Sequence, residues 1–146
     1  MVTIKFAAVF CAGALACLPL AAGAKPVALD SAVYVEHLGT TGDGRFQRAL
    51  VPALRLIRGD RVICVISWDR SSAARMLTVV NPVPRAVAYQ ASARDDDEVS
   101  ADGGRTWGQL GTLRYGARLA SPEDITHVRW RVAGAVGRIA YSAIVR

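Results

Sequence analysis

The sequence predicts an all-β chain folded as an antiparallel β-sandwich of about seven to nine short strands, preceded by a cleaved leader. Three observations predict it. Apolar residues recur with a period of two, turn-forming residues punctuate the chain at short intervals, and no stretch carries a helical stripe. Residues 1–24 stand apart from this pattern. Met1 to Lys5 carries one positive charge, Phe6 to Leu20 is apolar, and Ala22-Gly23-Ala24 is a small-x-small cleavage site. That is the pattern of a secretory signal peptide, so the domain expected to fold is 25–146. The apolar run is short and broken by Pro19, which argues against a membrane anchor. Export places the chain in the periplasm, outside the cell or on its surface. One variant changes the anchoring. Ala14-Leu15-Ala16-Cys17 resembles a lipobox, with Ala14 where leucine is favoured, and acylation at Cys17 would tether the chain to a membrane.

Within residues 25–146 the elements follow in order. Val27–Leu38 and Ala49–Ile57 supply one or two early strands. Arg61–Trp68 is an eight-residue β-branched run, expected to be a strand buried on both faces. Leu77–Val80 is a short strand that Asn81-Pro82 should stop, because proline offers no N–H to a central ladder. Pro82 and Pro84 keep the chain extended toward a strand over Ala86–Ala93. Val99-Ser100-Ala101 and Arg105-Thr106-Trp107 flank Asp102-Gly103-Gly104, which predicts a hairpin, since Asp-Gly accepts the positive φ of primed turns. Ser121 can cap one helical turn at Pro122-Glu123-Asp124. In Ile125–Val132, alternation puts Thr126, Val128, Trp130 and Val132 on one face, and Ile125, His127, Arg129 and Arg131 on the other. Arg138–Val145 closes the domain with Ile139, Tyr141, Ala143 and Val145 inward. The expected core is Val62, Cys64, Ile66, Trp68, Leu77, Val79, Tyr89, Val128, Trp130, Val132, Ile139 and Tyr141.

Five of these phrases, in this order, resemble the bacterial surface-repeat family catalogued as domain of unknown function 11. They are Arg58-Gly59-Asp60 before a hydrophobic strand, Val79-Val80-Asn81-Pro82-Val83-Pro84, Val87–Ala93, Val99–Trp107, and Thr126–Trp130. The resemblance spans roughly Leu50 to Val145. It departs from the family at Arg58, where proline is usual, and at Trp68-Asp69-Arg70, where an Asn-rich turn is common. It implies an immunoglobulin-like sandwich outside bacterial cells and supplies no catalytic residues.

The candidate chemistry is sparse. Two histidines, His37 and His127, lie far apart, and no nucleophile elbow accompanies them, so no enzyme activity is expected. Cys64 is the one cysteine after the leader, which excludes an internal disulfide and suits a buried small hydrophobe. Asp95-Asp96-Asp97-Glu98 offers contiguous oxygens, but neighbouring residues point apart and lack the spacing of a calcium loop. No metal or other cofactor is therefore expected. Arg58-Gly59-Asp60 spells an integrin-recognition triplet, yet its place before a strand reads as a turn.

Seventeen basic residues against twelve acidic ones give residues 25–146 a formal charge of +5. The arginines are scattered, without the clustered stripe of a nucleic-acid binder, so no nucleic-acid partner is expected. Only His127, Arg129 and Arg131 form a local basic face, a candidate for an anionic envelope polymer. The tryptophans look like core. The remaining expectation is a structural or protein-interaction role in the cell envelope, with envelope proteins engaged through open sheet edges.

Overall fold

The computed structural model describes residues 27–70 and 75–146; the expected leader and cleavage site lie outside them. The described chain is nearly all β, in two antiparallel sheets packed as a sandwich. The strands are β1 (Ala28–Thr40), β2 (Phe46–Pro52), β3 (Arg61–Asp69), β4 (Leu77–Pro82), β5 (Val87–Ser92), β6 (Glu98–Ser100), β7 (Arg114–Tyr115), β8 (Arg118–Leu119), β9 (His127–Val132) and β10 (Val136–Val145). The large sheet has five strands in the order β2-β1-β3-β10-β5, and the small sheet three, β4-β9-β6. A two-stranded ribbon, β7-β8, stands apart from both.

The core lies between the sheets and is built by alternation. On β3, Val62, Ile66 and Trp68 are buried; on β10, Ile139, Tyr141, Ala143 and Val145 are. Val79 of β4 and Val128, Trp130 and Val132 of β9 meet them from the small sheet. Tyr141 packs against both Tyr89 (ring centroids 5.9 Å apart) and Trp130 (6.1 Å). Burying such side chains contributes roughly 1.5–3 kcal/mol apiece. Trp130 Nε1 donates to Ser92 Oγ at 2.8 Å, so its one polar atom is satisfied inside. Cys64 and Leu77, expected in the core, are instead half-buried at its margin.

Several local expectations change. β3 is not buried on both faces: Ile63, Val65 and Ser67, on the side away from the small sheet, are only partly covered. β4 runs through Asn81 to end at Pro82, and it can because it is the outermost strand of its sheet, where one side of the ladder needs no donors. The second strand is Phe46–Pro52 rather than Ala49–Ile57, and Leu54 to Ile57 belong to the loop into β3. Ile125 is buried rather than sharing the outer face of His127, because β9 begins only at His127 and Ile125 leaves the 3-10 turn with its own orientation. That turn does form at Pro122–Asp124, with the Asp124 carboxylate accepting from Ser121 N–H at 2.8 Å and from Ser121 Oγ at 2.9 Å.

Arg58-Gly59-Asp60 is a turn as expected. Gly59 holds φ +93°, a region costly to a residue with a Cβ. Gly59 N–H donates to Val145 O at 2.8 Å and Val145 N–H donates to Asp60 O at 2.9 Å, which ties the turn to the end of β10.

The sheets differ in width, and this shapes the surface. The small sheet covers β3, β10 and β5. Of β1 only Val35 is buried, and no residue of β2 is. β3 pairs with Ala28–Val35 of β1 and β2 with Tyr34–Thr40, so the β1–β2 hairpin projects past the start of β3 and out of the core.

Candidate functional site

The predicted basic face is real as a face but not as a cluster. His127, Arg129 and Arg131 alternate along the outward side of β9. Glu98 of β6 is the register partner of Arg129, and its carboxylate meets Arg129 Nε at 2.8 Å. On the other side the guanidinium lies 4.4 Å from the centre of the Trp107 ring. Arg129 is thus neutralised and stacked, with its charge spent within the fold. In turn, Arg129 holds the Glu98 carboxyl below its usual range.

His127 sits at the other end of this arrangement, its ring edge-on to Trp107 at 6.5 Å between centroids. Its Nδ1 is 3.1 Å from Thr126 Oγ1. That hydroxyl already donates to Ser100 O (3.1 Å) and accepts from Gly103 N–H (3.0 Å), so it is fixed as a strut rather than freed as a nucleophile. Arg131, exposed and opposite Thr78, makes no ion pair among the described residues but adds to the positive field at Glu98. The three predicted residues share a surface without converging on a common point.

Trp107 was expected in the core and is instead the lid of this face. The reason lies in the segment before it. Val99 and Gly108 form a bridge (Val99 N–H to Gly108 O 2.7 Å, Gly108 N–H to Val99 O 3.1 Å), so Ala101–Trp107 is a wide loop rather than the two arms of a tight hairpin. Asp102 organises it. Its Oδ1 accepts from the N–H groups of Arg105 (3.0 Å) and Thr106 (2.9 Å) and from Ser100 Oγ (2.8 Å), and its Oδ2 from Thr106 Oγ1 (2.7 Å). Led by the Thr106 N–H, these donors hold the Asp102 carboxyl far below its ordinary value. Gly103 and Gly104 supply the positive φ the loop needs, and Gly104 O receives Trp107 Nε1 at 2.8 Å.

The acidic run disperses. Asp96 pairs with Arg94 at 2.6 Å, Asp97 accepts from Tyr89 Oη at 2.5 Å, and Glu98 faces Arg129. Among the described residues no three His, Cys, Asp or Glu side chains gather as a metal site. Cys64 is pushed up from its ordinary pKa by burial beside Tyr141, the opposite of what activates a thiol.

The surface that stands out is the overhang. Facing the inter-sheet side are Leu29, Val33 and Val51, respectively 56%, 39% and 45% exposed, and the side of the hairpin away from the core adds Leu38, Phe46 and Leu50. β2 is the outermost strand of its sheet, and β4 is that of the small sheet. Neither was identifiable from sequence, because alternation assigns a residue to a face without saying whether anything covers it. Comparison with protein-family models, curated proteins and solved structures finds no match for this chain.

Proposed function

We propose that this chain is a non-catalytic, extracytoplasmic β-sandwich module of the bacterial cell envelope that works by binding proteins through the edges of its sheets. The β1–β2 overhang is the observation that carries this reading. On this edge strand the one charge, Arg48, is paired with Glu36 and the one proline sits at the end, which leaves Phe46, Leu50 and Val51 exposed beside an open ladder and favours a partner. The leader pattern supports the compartment. The dispersal of His127, Arg129 and Arg131, and the commitment of the Thr126 hydroxyl, favour a binding role over a chemical one.

The test is cross-linking of the tagged protein in intact, fractionated cells. A cross-linked species is expected in the envelope fraction, lost in Val51→Glu and kept in Arg131→Ala. Loss in Arg131→Ala alone, or salt-sensitive capture on a polyanion, would instead favour the basic face. A protein found in the cytoplasm with residues 1–24 intact would overturn the proposal.

A further inference from the structure

Among the described residues the large sheet is covered on one side only, and its other side is not built to face water. On β3, Ile63 and Val65 point away from the small sheet, and on β10 so do Ala140 and Ile144. Such alternate positions are ordinarily polar on a solvated antiparallel face, whereas an unbroken apolar run marks a strand covered on both sides. Val62–Ile66 is such a run, and the described chain supplies one of the two covers. We infer that the second cover is an amphipathic helix of a partner protein, apolar on one side and acidic along its flanks, seated on the outer face of the large sheet. This goes beyond the edge-binding reading and uses the side of the sheet opposite to Val51.

The face has the relief to receive one. Two hollows, of about 210 and 620 Å³, lie side by side on it and share Ile63, Ala93 and Ala140. Small side chains keep the middle low. Val65 lies between Ala32 and Ala140 in the register, and Ala93 N–H donates to Ala140 O at 2.9 Å, which sets a third alanine in the row. Tyr34 and Leu50 raise the β1–β2 side. The result is a trough whose floor is apolar and only half-buried.

A helix suits this trough better than an extended chain. β3 and β10 have strand neighbours on both sides, so their N–H and C=O groups are used in ladders and the face offers side chains alone. A strand laid over it would leave its own backbone groups unpaired on the dry side, whereas a helix satisfies them internally. Helices packed on a sheet are also one of the few arrangements that bury an apolar sheet face.

The rim selects an acidic helix. Arg48 and Arg61 line one hollow and Arg94 and Arg138 the other, against one acid, Glu36. The Glu36 side chain is 4% exposed and meets Arg48 Nε at 2.7 Å and Arg61 Nε at 3.5 Å. Two guanidiniums against one carboxylate leave this cluster at +1. Arg94 is paired with Asp96, while Arg138 has no ion pair among the described residues. Unspent positive charge therefore stands at both ends of the trough, in guanidiniums whose remaining N–H groups suit carboxylates. Asp30 and Asp69 surround a further hollow at the end of β3, which sets the acidic limit of the site.

The experiment is photo-cross-linking in cells that make the protein, with benzoylphenylalanine in place of Tyr34 and the adduct digested and sequenced by mass spectrometry. An adduct is expected on a protein segment whose apolar residues recur at i, i+3, i+4 and i+7, with Asp or Glu on the flanks. Ala140→Glu, which sets a charge on the floor, should abolish it. Arg138→Glu, at an exposed rim position, should lower its yield severalfold. Val80→Glu, exposed on the outer side of the small sheet, should leave it intact. Each variant should keep a β-type circular dichroism spectrum, and Arg138→Glu decides alone if Ala140→Glu loses it. No adduct would overturn the inference. So would an adduct on phospholipid, on a second copy of this chain or on a segment without that pattern, or a yield indifferent to Arg138→Glu. An adduct lost in Val51→Glu and kept in Arg138→Glu would place the contact at the β2 edge, removing the helix and leaving the edge-binding reading standing.

Discussion

Trp130 and Gly137 set the tolerance of the core from opposite directions. Trp130 is 1% exposed, stacked near Tyr141 and hydrogen-bonded to Ser92. Trp130→Ala removes the ring and leaves the Ser92 hydroxyl without that donor, so a loss of about 3–5 kcal/mol in urea unfolding is expected. An unchanged midpoint would contradict its burial. Gly137 has the converse problem. It is the register partner of Trp68, and a Cβ there would lie 2.2 Å from Trp68 Cζ2. Trp68 cannot retreat freely, because its Nε1 donates to Gly134 O at 3.3 Å. Gly137→Ala should cost about 1–3 kcal/mol by overpacking. Gly39→Ala, with open space around it, should change stability little by the same measurement. The importance of Trp130 was legible in the alternation of β9. That of Gly137 was not, because a glycine's use as clearance appears only once the ring opposite it is known.

At the scale of elements, the loop between β6 and the Gly108 bridge is held by one carboxylate, and this makes it sensitive to acid. The folded pKa of Asp102 lies far below its ordinary 3.8, owing first to the Thr106 N–H and then to the Thr106 and Ser100 hydroxyls. Asp124 is likewise lowered, by Arg118 and then by Ser121. A carboxylate whose pKa falls on folding stabilises fully above the unfolded value and loses that contribution as pH drops through the folded one. The urea midpoint should therefore decline from about pH 5 downward. Asp102→Asn should unfold earlier than wild type at pH 7, with the gap narrowing as the pH falls. A gap that stays constant would show that the charge on Asp102 is not what secures the loop. The Asp-Gly-Gly phrase revealed a reversal here but not its width. The tight hairpin it suggests gives way because Asp102 spends its acceptors on Arg105 and Thr106, curling the chain before Trp107 can pair. Trp107 then lands on Arg129, a contact between segments whose register the sequence does not state. For the same reason the Glu98–Arg129 pair stayed hidden in what read as an acidic crossing and a basic face.

The molecule as a whole has a gradient of cover running from β5 to β2, and the gradient should appear in its dynamics. Period-two patterning sufficed to foresee a sandwich, since Val62, Ile66, Trp68 and Ile139, Tyr141, Ala143 each read as an inward row. It could not foresee that the second layer stops short, because Leu29, Val33 and Val51 follow the same alternation whether or not a sheet lies above them. Amides open locally with free energies set by buried contacts around them, from near zero at frayed edges up to global unfolding in the core. β3 and β10, each paired on both sides and roofed by the small sheet, should exchange their amide protons only on global unfolding. β2, paired on one side and roofed by nothing, should exchange orders of magnitude faster in a dilute single chain. Hydrogen exchange followed by mass spectrometry checks the order, and equal protection of β2 and β3 in a single chain would contradict the uncovered hairpin itself.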